Sequence, residues 1–130
     1  RKKGLIQVNY SIDNELLHCK IPKFTLQPIV ENSIVHGFEG KKGLGKLDIS
    51  AHFVDGNDIV IEIKDNGVGI PQDKLETILQ KDKTQGERYN SVGLVNINER
   101  LKLTYGEKYG LSFESKCMEY SIVKILIPRE

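Results

Sequence analysis

The sequence has few of the features that place a chain in a specialised class. It has two cysteines, Cys19 and Cys117, without Cys-x-x-C spacing or histidine or cysteine companions at zinc-ligand distances, so neither a disulfide framework nor a zinc site is expected. No apolar stretch approaches the ~20 residues that span a bilayer, and the basic residues 1–3 are followed by polar side chains instead of a signal-peptide core. We therefore expect a soluble domain with reduced thiols, as in a cytosolic compartment.

The sequence also lacks an excess of charge of either sign. Its 19 lysines and arginines oppose 18 aspartates and glutamates, and a formal charge of +1 gives no general electrostatic surface for nucleic acid or an anionic membrane. The length of 130 residues fits a single domain over residues 1–130, and 38% hydrophobic with 28% charged residues is a globular composition. Because the chain does not begin with methionine, we expect it to be a fragment of a longer protein.

Hydrophobic periodicity predicts five strands. Apolar residues at every second position of residues 5–12 predict a half-buried edge strand, and the turn residues at 55–58 predict a hairpin between two later strands. The predicted strands cover residues 5–12, 46–54, 59–64, 111–115 and 120–127.

Three helices are predicted between these strands, over residues 22–36, 71–81 and 92–105. The last one is predicted from apolar residues at helical spacing, namely Leu94, Val95, Ile97, Leu101 and Leu103. Segment 82–91 has no aliphatic residue and is predicted to be a mobile loop. This order of elements favours an α+β fold, a two-layer sandwich of a sheet and helices.

Residues 65–70, Asp-Asn-Gly-Val-Gly-Ile, directly follow a predicted strand. Two glycines two residues apart, Gly67 and Gly69, allow a ligand to approach the backbone closely, and Asp65 offers a carboxylate acceptor for an exocyclic amine. Aspartate, asparagine and glycine are also the commonest turn residues, so for this motif alone an ordinary strand-to-helix turn is the more frequent arrangement.

Polar side chains interrupt the predicted helix at 22–36. Asn32 and His36 are four residues apart and share a helix face, while Glu31 lies about 100° around the helix from Asn32. An asparagine oxygen binds hard cations such as Mg²⁺, which takes its remaining ligands from water and substrate phosphates. The alternative is a solvated helix face with His36 near the negative end of the helix dipole, which for His36 alone is the commoner arrangement.

A third motif, Ser91-Val92-Gly93-Leu94, lies at the start of the last predicted helix. The free N–H groups and the positive dipole end of a helix N-terminus form an anion site, so a phosphate chain could bind there. The alternative is an ordinary helix N-terminus with Ser91 as its N-cap.

The order and spacing of these three motifs resemble the N, G1 and G2 boxes of the Bergerat-fold (GHKL) ATPases, the superfamily of gyrase, chaperone, histidine kinase and MutL domains. The stretches IPKFTLQPIVENSIVHG, DNGVGI and VGLVNINERLKLTYG resemble most closely the ATP-binding catalytic domain of sensor histidine kinases of the LytS/YesM-like branch. The resemblance implies about three helices on one face of a mixed, mostly antiparallel sheet. It also implies the cytoplasmic part of a membrane-bound bacterial sensor kinase, with no direct membrane contact by this domain.

By this resemblance Asn32 would bind a Mg²⁺ ion that bridges the ATP phosphates, and Asp65 would accept a hydrogen bond from the adenine amino group. The residues that would bind ATP are Asn32, Asp65, Gly67, Gly69, Ile70, Gly93 and Leu94. Glu31 would orient or deprotonate the nucleophile, and His36 of the same motif is the second candidate catalytic residue. Residues 82–91 would form the ATP lid.

The implied function is transfer of the γ-phosphoryl group of Mg-ATP to a histidine in a dimerisation domain of the same protein, with a response regulator downstream, in two-component signal transduction. The branch typically has its phosphoacceptor histidine in a Pro-His-Phe context, which this chain lacks, so the fragment alone is expected to be inactive in autophosphorylation.

Two positions depart from the family pattern. Ser91 replaces a glycine, and Tyr120 with Ser121 replaces a Gly-Thr pair. These departures leave open a second function, an ATP-binding regulatory or interaction module without kinase activity. A gyrase-like ATPase is disfavoured because Pro28 occupies the position where those enzymes have a glutamate.

Overall fold

The computed structural model of the chain describes residues 6–14, 16, 29–30, 44–54, 57–70, 73 and 92–129. In chain order the elements within these ranges are β1 Ile6–Ile12, β2 Gly45–Val54, β3 Asp58–Asp65, α1 Val92–Tyr105, β4 Gly110–Lys116 and β5 Tyr120–Pro128. The five predicted strands and the last predicted helix are confirmed, because local periodicity in this chain agrees with the tertiary fold.

The five strands form one sheet in the order β1-β2-β3-β5-β4. β1 pairs parallel to β2, whereas the β2–β3, β3–β5 and β4–β5 pairs are antiparallel. The sheet is therefore mixed and mostly antiparallel, as the resemblance implies, and the predicted β2–β3 hairpin is formed. Because β3 is central, its last residue lies beside both β2 and β5.

The core lies between this sheet and α1, which packs against β4 and β5. Its members are aliphatic side chains on the alternating inner positions of the strands and on one face of the helix, including Leu47, Ile59, Ile61, Ile63, Leu94, Ile97, Leu101, Val123, Ile125 and Ile127. Burial of one such side chain contributes about 1.5–3 kcal/mol. This layer holds the ends of β3 and β5 in fixed positions.

The helix α1 has the predicted ends, but Leu103, one of the apolar residues from which it was predicted, faces away from the core. Leu101 is fully buried, whereas Leu103 is 87% exposed, because two residues advance a helix by about 200°. Gly106, with φ +120°, follows the helix, and its N–H donates to the carbonyl of Lys102. The Lys102 ammonium in turn donates to the carbonyls of Glu107 and Tyr109, which fastens the α1–β4 connection.

Strand β1 lies at the edge as predicted, but the expectation that it is half-buried is wrong. All seven of its residues are exposed, and its apolar side chains Ile6, Val8, Tyr10 and Ile12 are between 39% and 69% exposed. The register pairs Val8 with Leu47, so these side chains extend the face on which the core lies. An edge strand has a neighbour on one side only, and within the described residues the core ends at β2.

The expectation of about three covering helices is not confirmed. Within the described residues, α1 is the helix with defined ends, and helical backbone is also found at 29–30 and at residue 73. The remainder of the helices predicted at 22–36 and 71–81, and the loop predicted at 82–91, lie outside the described residues. No helix in the described part of the chain has both the length and the apolar character needed to cross a membrane. Cys117 is free and exposed.

Candidate functional site

Strand β3 ends at Asp65, whose side chain is 2% exposed. One carboxylate oxygen accepts a hydrogen bond from the backbone N–H of Gly67 at 2.9 Å, and the other accepts one from the hydroxyl of Ser121 at 2.7 Å. Burial of a carboxylate is tolerated when its oxygens are hydrogen bonded. These two bonds fix the plane of the carboxylate, and because each oxygen can accept more than one hydrogen bond, the group can also receive a donor from a ligand.

Asp65 belongs to a row of residues that crosses the sheet at one end. The register pairs Leu47 with Asp65, Asp65 with Ser121, and Ser121 with Ser115. We name Asp65, Ser121 and Ser115 the polar row. Two residues further into each strand, on the same face, the side chains are apolar, namely Ile63, Phe113 and Val123. The inner face of the sheet therefore changes from apolar to polar at the end where the residue 65–70 loop begins.

Asn66 fastens this loop to the start of β2. Its side-chain oxygen accepts from the backbone N–H of Lys46 at 2.7 Å, and its amide nitrogen donates to the carbonyl of Leu44 at 3.2 Å. The backbone N–H of Asn66 also donates to the carbonyl of Lys46 at 3.1 Å. The asparagine of the Asp-Asn-Gly motif thus has a structural function, since it continues the β2–β3 pairing by one residue with its side chain.

The second glycine of the loop is required by the β4–β5 hairpin. Gly69 has φ +76°, and a Cβ at this position would lie 2.6 Å from the carbonyl oxygen of Lys116. Both the left-handed backbone and the close approach exclude a side chain. Beside it, the N–H of Met118 donates to the carbonyl of Val68, and the N–H of Ile70 donates to the hydroxyl of Ser115 at 2.7 Å. The loop is therefore seated on the hairpin turn, a contact that the glycine spacing alone does not reveal.

The N-terminal turn of α1 is the third part of the candidate site. Gly93 is its second residue, and Leu94 is buried in the same core cluster as Ile70. The first turn contains no acidic residue, so no carboxylate within that turn compensates the positive end of the helix dipole. Such a terminus favours an anion through its free N–H groups.

The structure thus describes six of the predicted site residues: Asp65, Gly67, Gly69, Ile70, Gly93 and Leu94. The other three, Glu31, Asn32 and His36, lie outside the described residues. The nearest described part of their motif is the helical pair at 29–30, of which Ile29 is fully buried. Among the described residues no group of three or more histidine, cysteine, aspartate or glutamate side chains could hold a metal ion.

Two serines of the polar row were not predicted as site residues. In the sequence Ser121 stands out only as part of the Tyr120-Ser121 departure from a Gly-Thr pair, yet its hydroxyl donates a hydrogen bond to Asp65. Ser115 gave no motif signal. The signal that could have identified both is a polar residue at an inner position of a strand whose other inner positions are apolar.

A second polar cluster lies at the start of β3, about 23 Å from Asp65 at the usual rise per strand residue. Asp58 is 7% exposed, receives a hydrogen bond from the Tyr109 hydroxyl at 2.8 Å and forms an ion pair with Lys108 at 2.6 Å. The hydrogen bonds from Lys108 and then Tyr109 lower the pKa of Asp58, and the bond to Asp58 raises the pKa of Tyr109. This cluster ties the α1–β4 connection to β3 and is remote from the candidate site.

Comparison with known proteins agrees with the motif resemblance. The model of the family described as histidine kinase-, DNA gyrase B- and HSP90-like ATPase matches residues 22–129. The chain is 38% identical over 108 residues to sensor protein LytS of Staphylococcus haemolyticus, an alignment that covers 83% of this chain and 18% of that protein. It is 37% identical over 123 residues to sensor histidine kinase YesM of Bacillus subtilis, which covers 95% of this chain and 20% of that protein. The chain spans about a fifth of the length of the curated relatives it matches.

Solved structures share the fold. The catalytic domain of histidine kinase ThkA superposes with a TM-score of 0.70 at 18% identity, covering 95% of this chain and 79% of that one. ThkA in complex with the response regulator protein TrrA superposes with a TM-score of 0.66 at 18% identity, covering 96% of this chain and 34% of that one. The mixed five-stranded sheet with its helix is thus the fold of histidine kinase catalytic domains.

Proposed function

The chain belongs to the histidine kinase-, DNA gyrase B- and HSP90-like ATPase family, and we propose that it binds Mg-ATP and donates the γ-phosphoryl group to a histidine of a dimerisation domain in the same protein. The observation that supports this most strongly is the buried carboxylate of Asp65, oriented by Gly67 and Ser121 at the end of the central strand. Domains of this family bind ATP, and a buried, oriented acceptor is what recognition of an adenine amino group requires.

In this proposal the adenine lies against the residue 65–70 loop. The Asp65 carboxylate accepts from the exocyclic amine, and the buried side chain of Ile70 forms part of the apolar wall beside the ring. Guanine has a carbonyl where adenine has its amine, so it would place an acceptor against the carboxylate acceptor, and the hydrogen bond between base and carboxylate would not form. Asp65 is thereby the residue that selects adenine.

The phosphates lie toward the first turn of α1, where the backbone at Gly93 and Leu94 offers N–H groups at the positive end of the helix. Asn32 is the proposed Mg²⁺ ligand, and a single amide oxygen suits an ion that takes its other ligands from water and phosphate oxygens. Mg²⁺, when bound, neutralises the negative charge that the phosphates gather as the reaction proceeds. The proposed lid at 82–91 closes over this end.

The proposed reaction is an in-line displacement at the γ-phosphorus. The lone pair of an imidazole nitrogen of the dimerisation domain forms the new P–N bond, while the bond to the bridging oxygen breaks and its electrons leave with ADP. The imidazole N–H proton passes to Glu31, the candidate base, with His36 as the second candidate in the same motif. The phosphohistidine would then serve a response regulator, the kind of partner that ThkA has in its complex with TrrA.

Nucleotide titration tests the proposal. We expect wild-type protein to bind ATP and ADP, and to discriminate against GTP by at least about tenfold, the loss that one unpaired buried acceptor causes. Asn32→Ala should remove the Mg²⁺-dependent part of ATP affinity and leave adenosine binding unchanged. GTP binding equal to ATP binding would contradict the assignment of Asp65.

A second measurement separates the kinase from an ATP-binding module without kinase activity. The protein is mixed with the dimerisation domain of its own full-length chain and radiolabelled Mg-ATP, and label on that domain is followed over time. Acid-labile, base-stable label is expected for phosphohistidine. ATP binding with no transferred label would favour the regulatory module.

A further inference from the structure

One hydroxyl, that of Ser115, hydrogen bonds both to the residue 65–70 loop and to strand β5. The backbone N–H of Ile70 donates to the Ser115 hydroxyl at 2.7 Å, and the same hydroxyl donates to the carbonyl of Tyr120 at 2.9 Å. A serine hydroxyl has one proton and two lone pairs, so it can accept from the loop and donate to a strand at the same time. Ser115 thus links the loop on one side to β5 on the other.

Two further contacts lie beside this hydroxyl. Val68 accepts from the N–H of Met118 in the hairpin turn, and Gly69 leaves no room for a Cβ next to the carbonyl of Lys116. These contacts involve backbone atoms, so they persist when the Ser115 side chain is changed. The loss of the hydroxyl would therefore release one end of the loop without detaching all of it.

We propose that Ser115 is a positioning residue for nucleotide binding, which holds Ile70 and the end of the loop in the conformation that receives the adenine ring. This inference rests on the proposed function, because it takes the loop to be the adenine site. Ile70 is buried, so without the hydroxyl its amide must either remain without this acceptor or turn toward water. A nucleotide would have to restore the buried arrangement on binding, and the cost would appear in its dissociation constant.

The test uses two variants of nearly equal shape in the protein. Ser115→Thr keeps the hydroxyl and Ser115→Val replaces it by a methyl group, while both are β-branched and suit a strand. Ser112, which is exposed on the same strand, provides the matched controls Ser112→Thr and Ser112→Val. The dissociation constants of ATP, ADP and adenosine are measured by calorimetry, and exchange of the Ile70 amide is measured by NMR.

We expect Ser115→Val to weaken all three ligands by about tenfold, the effect of one buried donor without its acceptor, and Ser115→Thr to bind as wild type. The equal factor for adenosine and ATP places the effect at the base and not at the phosphates. The Ile70 amide should exchange faster in Ser115→Val than in Ser115→Thr. Both Ser112 variants should bind as wild type.

The outcomes separate this inference from the proposed function. If the wild-type protein binds the nucleotides and Ser115→Val binds them as tightly as Ser115→Thr, the positioning role is overturned and the proposed function is not. Weakening of ATP without weakening of adenosine also overturns it, because the effect would then lie at the phosphates. Wild-type protein that binds none of the three ligands overturns the proposed function together with this inference. Should Ser115→Val not fold, unchanged affinity in Ser115→Gly, which also removes the hydroxyl, overturns the positioning role, and a tenfold loss supports it.

Discussion

The two ends of strand β3 each have a buried aspartate, and the two carboxylates are held in different ways. Asp58, at the start, is bound by the ammonium of Lys108 and the hydroxyl of Tyr109, both from the α1–β4 connection. Asp65, at the end, receives the N–H of Gly67 and the hydroxyl of Ser121. The Lys108 ammonium compensates the charge of the Asp58 carboxylate, whereas the donors from Gly67 and Ser121 are neutral groups that orient the oxygens of Asp65. The same residue type can therefore fasten a loop at one end and offer an acceptor to a ligand at the other.

The largest expected effect is on ATP affinity, and it should differ between the two aspartates. Asp65→Asn should weaken ATP binding by about 100-fold, since the adenine amine would face an amide that can present its own donor, and a mispaired buried polar group costs about 1–3 kcal/mol or more. Asp58→Asn should lower the free energy of unfolding and leave ATP affinity within about twofold, because it lies at the other end of the strand. Calorimetric titration and urea denaturation of both variants check this. A similar loss of ATP affinity in the two variants would remove the distinction between the two ends.

Two glycines sharpen the comparison further: Gly69 in the loop that follows Asp65, and Gly106 in the α1–β4 connection that binds Asp58. Gly69→Ala combines a left-handed φ of +76° with a Cβ 2.6 Å from a backbone carbonyl, whereas Gly106→Ala at φ +120° would meet its nearest atom, on Tyr109, at 4.0 Å. Strain of this kind costs about 1–3 kcal/mol, so both should lower the melting temperature. Because the loop must move away from the hairpin in Gly69→Ala alone, ATP affinity should fall by about tenfold or more in that variant and stay unchanged in Gly106→Ala. Normal ATP binding by Gly69→Ala would show that the loop does not need its seat on the hairpin.

Removal of the hydroxyl that donates to each carboxylate should have a smaller effect on ATP affinity at the Asp65 end and on stability at the Asp58 end. Ser121→Ala should weaken ATP binding by about three- to tenfold, the value of one hydrogen bond that orients a buried acceptor, and Ser121→Thr should restore it. Tyr109→Phe removes the corresponding bond at Asp58 and should change the melting temperature without changing ATP affinity. The same titrations and thermal melts provide the measurement, and weaker ATP binding in Tyr109→Phe would contradict the assignment of Asp58 to a structural role.

The smallest expected effect is a pH dependence at the Asp58 end. Hydrogen bonds from Lys108 and Tyr109 lower the folded-state pKa of Asp58 below the unfolded value of about 3.9, so its contribution to stability is complete above that pH and is lost as the pH falls through the folded pKa. The difference in unfolding free energy between wild type and Asp58→Asn should therefore be constant from about pH 5 to 7 and shrink below about pH 4. Urea denaturation across this range measures it, and a difference that stays constant down to pH 3 would contradict the cause assigned to the shift.

Tyr109 adds a stabilising contribution whose pH dependence runs in the opposite direction. Its bond to Asp58 raises its folded-state pKa, so its contribution is complete below the unfolded value of about 10 and is lost as the pH rises through the folded pKa. Denaturation of wild type and Tyr109→Phe above about pH 10 should show their difference shrink. The cluster is thus expected to stabilise the fold across the neutral range and to weaken at both extremes.

Local elements were predictable because each depends on residues close together in the chain. Alternation in β3 and β5, and the helical spacing that ends at Gly106, need no knowledge of neighbours in space. The exposure of Leu103 could not be taken from spacing, since a helix of 14 residues has apolar residues on more than one side and only the sheet decides which side is buried. The exposure of β1 likewise depends on where the core ends.

The motif with Asp65 was identifiable from sequence, but its surroundings were not. Ser121 and Ser115 follow Asp65 in the chain by 56 and 50 residues. Ser121 meets Asp65 because β5 lies beside β3, and Ser115 meets the loop at Ile70 from β4, the next strand in the sheet. Glu31, Asn32 and His36 lie outside the described residues and remain predictions from the sequence.

By itself the sequence determined which segments become strands and helix, which loop contains the aspartate and glycines, and to which family the chain is similar, because periodicity and short motifs are local properties. Only the tertiary structure decided that Asn66 fastens β2, that Gly69 is required by the hairpin carbonyl of Lys116, and that two serines from other strands adjoin the Asp65 loop. The physical reason is that a hydrogen bond between strands depends on their register and order in the sheet. Register and order are set by burial of the whole apolar face and not by any single segment.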